Sequence, residues 1–254
     1  MKNLTYLLLM ISGVLLTVSC NDSTTDEFEE ANGNVENKLI KSISTISAQN
    51  SEENINVSLT YDSDNRLSTI TDGNDISIFV FDNGNLSSIT GPGENFNIED
   101  LSQSPYDAFE TGQVLEYDSK GNPIKVLFFE EEYNDATGEY ENIELTAEIT
   151  YDDEHNPYFY TLEAAGIIEI LDDIELNFSL IPQSSEIVQA RALFPVSNPS
   201  KIVYKDELGA IVYIVIVDYV YDNDDYPTSA TVTASSIVDN EVGVYTITYQ
   251  YIIP

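Results

Sequence analysis

The sequence predicts a mostly β protein, an antiparallel meander of repeated hairpins able to curve strongly, with one short helix or insertion. A two-sheet β-sandwich is the alternative. Two observations carry this. Apolar residues recur in period two over many short stretches, which places one face of a strand inward and one toward water. Each stretch ends in an aromatic residue followed by an acidic, Asn- and Gly-rich turn. The side-chain inventory agrees: 17 Tyr and 10 Phe with no Trp, rings that suit half-buried strands with a wet hydroxyl.

The chain opens differently. A lone Lys2 precedes an apolar run from Leu4 to Val18, and Ser19-Cys20 is followed at once by the polar stretch Asn21-Asp22-Ser23. A basic start, an apolar middle and small residues at a cut site are the layout of a secretory signal. The run is too short for a membrane span, which needs roughly 20 apolar residues. Cys20 is the only cysteine, and an unpaired thiol is uncommon in an exported protein. Its setting resembles a bacterial lipobox, in which the thiol is lipidated and becomes the new N-terminus. Residues 1–19 are therefore expected to be a lipoprotein signal peptide and Cys20 the palmitate-bearing residue. The acidic residues 20–37, poor in apolar side chains, are expected to form a disordered tether, and residues 38–254 the folded domain.

Within that domain Ile55, Val57, Leu59 and Tyr61 alternate with Asn56, Ser58 and Thr60. Ile143 to Tyr151 and Tyr245 to Tyr251 repeat the pattern. The strand-closing phrase appears as Tyr61-Asp62-Ser63-Asp64-Asn65, Phe81-Asp82-Asn83-Gly84-Asn85, Tyr117-Asp118-Ser119-Lys120-Gly121-Asn122-Pro123, Tyr151-Asp152-Asp153-Glu154-His155-Asn156-Pro157 and Tyr221-Asp222-Asn223-Asp224-Asp225-Tyr226-Pro227. Tyr204-Lys205-Asp206-Glu207-Leu208-Gly209 is a looser copy. Asp and Asn bond their own backbone in turns, Gly and Asn accept positive φ, and Pro starts a strand where no ladder donor is needed. Each copy is expected to be a hairpin, giving about ten strands in one meander.

The strand-Tyr-Asp-turn-strand phrase resembles the YD (RHS-type) repeat. With a lipobox ahead of it, the chain from about Leu39 to Ile253 resembles Bacteroidetes surface lipoproteins carrying domains of unknown function. The resemblance implies an outer-membrane, cell-surface location and leaves the ligand open.

Three stretches depart from the rhythm. Gly91 to Gly112, with Gly91-Pro92-Gly93 and Ser104-Pro105, reads as a long surface loop. Thr161 to Leu171 reads as one short amphipathic helix, although Ile174, Leu176, Phe178 and Leu180 alternate well enough for a strand pair. Ala210 to Val217, almost wholly apolar, reads as a central strand covered on both faces.

Chemistry is sparse. No HExxH, GxSxG, Walker loop or GxGxxG occurs. The single histidine, His155, falls in an expected turn and not on the packed scaffold that a triad uses. Glu130-Glu131-Glu132 and Glu139-Tyr140-Glu141 flank a hairpin tip. They offer carboxylate pairs of the kind glycosidases use, or a strand edge guarded by charge. The oxygen-rich turns, with Asp62, Asp64, Asp222, Asp224 and Asp225, present hard ligands that suit calcium and equally suit ordinary turn chemistry. Loss of Lys2 with the signal takes the formal charge from −36 to −37. So acidic a surface repels nucleic acid and anionic lipid. The expected function is that of a membrane-anchored surface lipoprotein binding a glycan or surface protein. The alternative is a surface glycan hydrolase working through paired carboxylates.

Overall fold

The computed structural model describes residues 23–33, 35–92, 96–97, 113–134, 137–173 and 195–254. The expected signal peptide and Cys20 lie outside them. Thirteen strands build one sheet: β1 (Leu39–Ser47), β2 (Ile55–Tyr61), β3 (Leu67–Thr71), β4 (Ile76–Asp82), β5 (Asn85–Thr90) and β6 (Phe96–Asn97), then β7 (Gln113–Tyr117), β8 (Pro123–Asn134), β9 (Glu139–His155), β10 (Ser197–Lys205), β11 (Ile211–Tyr221), β12 (Pro227–Ser236) and β13 (Glu241–Ile252). Their order is β6-β5-β4-β3-β2-β1-β13-β12-β11-β10-β9-β8-β7. Every neighbouring pair is antiparallel. This is the expected meander, with one feature that local sequence does not reveal. The first strand pairs with the last, Leu39 opposite Ile252 and Ser47 opposite Tyr245. The two halves of the meander therefore spread outward from the β1–β13 seam.

The repeated phrase folds into one turn used four times. In the turns led by Asp62, Asp118, Asp206 and Asp222, the Asp N–H donates to the carbonyl four residues on, at 2.8–2.9 Å. Its Oδ1 accepts the backbone N–H two and four residues on, at 2.7–3.0 Å. The fourth residue of each turn takes a left-handed φ: Asn65 at 60°, Gly121 and Gly209 at 79°, Asp225 at 62°. Only Gly, Asn and Asp reach that region at low cost, so the composition of the phrase follows from the backbone it must adopt. The Phe81-Asp82 copy closes instead as a two-residue turn, with Asp82 opposite Asn85 and Asn83 and Gly84 at φ 52° and 97°.

The Tyr151 copy makes no hairpin. Strand β9 runs through it to His155. There the Asp152 carboxylate accepts the Tyr221 hydroxyl in a short hydrogen bond, along with the Glu154 N–H. His155, expected in an exposed turn, is 4% exposed.

Helices cover part of one sheet face. The segment expected to be a disordered tether forms α1 (Thr24–Asn32), started by a capping box in which Ser23 and Asp26 exchange bonds. Phe28 is fully buried and stacks on Phe159 at 3.8 Å. A single large apolar side chain thus outweighs the acidic composition of the segment. The helix expected over Thr161–Leu171 is present as two, α2 (Phe159–Ala164) and α3 (Ile167–Asp173). The break falls at Gly166, where φ is 72° and an added Cβ would stand 3.0 Å from Leu86 Cβ. Ile174 to Leu180 lie outside the described residues, as does most of the loop expected over Gly91–Gly112.

Two buried clusters result. Phe28, Leu39, Phe159, Tyr160, Ile168, Val196 and Tyr226 form one. Ile40, Leu59, Leu67, Phe79, Leu86 and Ala165 form the other. Strand β11 is not covered on both faces as expected: Ile216 and Val220 point outward, 40% and 59% exposed.

Candidate functional site

Cross-strand pairing settles which side chains share the helix-bearing face. Val217 lies opposite Val232, which lies opposite Tyr245, and Ala230 lies opposite Ile247. Val215 lies opposite Ile202, which lies opposite Ile149. Ile247, Val232, Val217, Val215, Ile202 and Ile149 thus form a row across β13 to β9. All are half-buried, and none belongs to either buried cluster. Among the described elements, α2 and α3 pack on residues of β1–β5, α1 packs at the His155, Val196 and Tyr226 end of β9–β12, and neither buried cluster takes in this row.

Tyrosines border the row. Tyr158, at the start of α2 and 38% exposed, meets Tyr249 edge to face at 6.2 Å, their hydroxyls 3.4 Å apart. Tyr249 stacks toward Tyr251, and Tyr219 toward Tyr221. Two of these phenols, and Tyr151 of β9, do a second job. Tyr151, Tyr219 and Tyr251 donate to the carbonyls of Pro123, Pro199 and Pro227, at 2.8, 3.3 and 2.8 Å. Each bond ties a strand to the proline near the start of its neighbour. Burial pushes the phenols of Tyr219, Tyr249 and Tyr251 above their ordinary range, so they stay neutral donors. The floor is apolar and its border is a set of uncharged rings with polar tips.

A cleft of about 520 Å³ opens where β8 and β9 part beyond the Lys125–Glu148 pair. Asp118, Asp152, Asp153, Lys120 and Lys125 line it. Burial raises the Asp152 carboxyl above its ordinary value against the Tyr221 hydrogen bond that lowers it. The neighbouring Asp118 is committed: its oxygens accept the N–H of Lys120 and of Asn122 and the Asn122 amide. Asp118 is thus held by its own turn, and Asp152 by Tyr221 and the Glu154 N–H. Of the carboxylates weighed for hydrolysis, the backbone pairs Glu132 with Glu141 and Glu130 with Ile143; the side chains of Glu130, Glu131, Glu132 and Glu141 lie outside the described ones.

The residues expected to hold calcium sit in two separate turns, each already served by a cation of the chain. Arg66 reaches Asp62 at 2.7 Å and Asp64 at 3.2 Å. Lys38, its side chain 9% exposed, reaches Asp222 at 2.9 Å and Asp224 at 2.6 Å and lies 5.0 Å from the centre of the Tyr226 ring. Asp225 supplies the left-handed residue of its turn. Among the described residues no group of three or more His, Cys, Asp or Glu side chains is placed to hold a metal ion.

Sequence reasoning missed Lys38 and Phe28. The available signals were the lysine that ends the acidic segment just before the first apolar strand residues and the Ser23-x-x-Asp26 cap ahead of Phe28 and Ala31.

No family model matches the chain, and no curated protein matches it. Solved structures overlap it loosely. A porin-like protein from Bacteroides vulgatus is 12% identical with a TM-score of 0.41, over 85% of this chain and 99% of that one. A porin-like protein from Bacteroides uniformis is 11% identical with a TM-score of 0.33, over 84% and 98%. A LolA superfamily protein from Nitrosomonas europaea is 9% identical with a TM-score of 0.28, over 89% of each. At these values none of them assigns an activity to this chain.

Proposed function

We propose that the protein is a lipid-anchored envelope protein that binds a partner with an apolar face along the row over β9–β13. The row itself carries the reading. Six aliphatic side chains, contiguous through strand pairing, stand half-buried outside both cores, and a contiguous, partly accessible apolar patch suits an interaction site. The tyrosine border gives such a partner rings to pack on and hydroxyls to bond. The anchor rests on the signal layout before Cys20. Palmitate-analogue labelling tests it: the wild-type chain takes the label and Cys20→Ala does not.

Binding is tested with the uncharged dye N-phenyl-1-naphthylamine and the mature chain. The dye is expected to brighten on the wild type and to stay dim with Val217→Lys combined with Val232→Lys, once circular dichroism and melting have shown that this variant folds as the wild type does. Equal brightening by both proteins would remove the row as the site. Soluble glycans that displace the dye would identify a sugar partner.

A further inference from the structure

We infer that a lipid surface lies against the helix end of this domain, so that the sheet stands upright on the membrane in one orientation. This rests on acylation of Cys20 as proposed above. Four peptide steps separate Cys20 from Thr24, a reach of at most about 14 Å. At Thr24 all slack ends. Its N–H donates to Asp172 Oδ2 at 3.0 Å and its hydroxyl to Asp172 Oδ1, and Thr24 is fully buried. One residue on, the Thr25 hydroxyl donates to Glu163 at 2.8 Å. Phe28, one turn further, sits at the centre of a buried cluster. The leash is thus pinned to α2 and α3 and cannot pay out more chain without extracting Phe28.

The other end of the sheet is far away. Ile252 packs against the cluster that holds Phe28. From there β13 runs back to Glu241, about 36 Å at roughly 3.3 Å per residue. The turn joining β12 to β13 therefore points away from the lipid. Carboxylates at the helix end, among them Glu163, Glu169 and Asp172, favour a zwitterionic surface over an anionic one.

The experiment uses the acylated mature chain on phosphatidylethanolamine–phosphatidylcholine vesicles that carry an acceptor dye on the lipid headgroup. A donor dye is placed through Glu169→Cys in α3 or Asp239→Cys in the distal turn, both exposed positions. Energy transfer is expected to be several-fold stronger from position 169 than from 239. A 20-residue Gly-Ser insertion after Asp22 is expected to bring the two to the same value. Equal transfer without the insertion, or an unchanged difference with it, overturns the orientation while leaving the anchor intact. If the chain fails to float with the vesicles, the anchor reading falls and this inference with it.

Discussion

The ring of Phe28 lies flat on the ring of Phe159, centroids 3.8 Å apart and planes within 5°. Tyr160 meets Phe28 edge on at 5.5 Å. This one side chain joins the N-terminal segment to the helices that roof the sheet. Phe28→Ala is expected to lower stability by about 3–4 kcal/mol, the usual cost of emptying an aromatic core position. Urea unfolding of residues 21–254 measures it. A loss within a few tenths of a kcal/mol would mean that α1 is not a structural part of the domain.

His155 gives a pH signature. Its ring is held edge to face by Tyr226 at 4.3 Å and Phe28 at 6.5 Å, and Nε2 has no hydrogen-bond partner among the described residues. Burial pushes its pKa down to about 4; Asp225 and Asp222 oppose that shift and Lys38 adds to it. The folded protein thus keeps His155 neutral while the unfolded chain binds a proton below about pH 6.5. Stability from this residue is complete above that value and is lost as pH falls toward 4. Unfolding near pH 5 should take up close to one proton more in the wild type than in His155→Leu, read from the difference between their stability–pH curves. Parallel curves would contradict it.

Lys38 holds Asp222 and Asp224 together. Burial pushes the Asp222 carboxyl up, but Lys38 and the N–H groups of Tyr226 and Asp224 outweigh it and hold it below the ordinary range. The clasp is therefore complete above the usual carboxylate range and weakens as pH falls through the lowered value. Lys38→Met is expected to cost about 1–2 kcal/mol. It also leaves two carboxylates without their cation. Millimolar calcium should then raise the Tm of Lys38→Met more than that of the wild type, against sodium chloride of equal ionic strength. Equal calcium shifts in the two proteins would place any calcium elsewhere.

Gly166 separates α2 from α3 at a left-handed φ, hard against Leu86. Gly166→Ala should cost about 1–3 kcal/mol. Adding Leu86→Ala should recover none of the backbone part. A neutral Gly166→Ala in thermal melts would show that the helix pair can be repacked.

Much of the sheet is legible residue by residue. Period two places Leu59, Phe79 and Tyr249 inward, and the Tyr-Asp phrase marks where strands turn, because both signals act over a few residues. What fails is nonlocal. Nothing near Leu39 says that Ile252 will lie beside it. The Tyr151-Asp152 copy reads like the others, yet its carboxylate is taken by Tyr221, a partner far along the chain. The apolar run at Ala210 suggested cover on both faces, but Ile216 and Val220 face outward beside the Thr and Ser residues of β12. The row was half legible: its residues were readable as inward-facing, while the placement of the helices over Leu39, Leu86, Val196 and Tyr226 was not.

The β1–β13 seam also bears on time. The first strand described hydrogen-bonds to the last described, so β1 stays an unpaired edge on one side until β13 is made. Contacts that close so long a loop form late and slowly. A chain that crosses a membrane before folding, as proposed here, benefits from that delay: the sheet cannot be completed around its centre while any of β13 is still on the near side. For a chain exported as proposed, the central strand pair stays open until β13 has crossed.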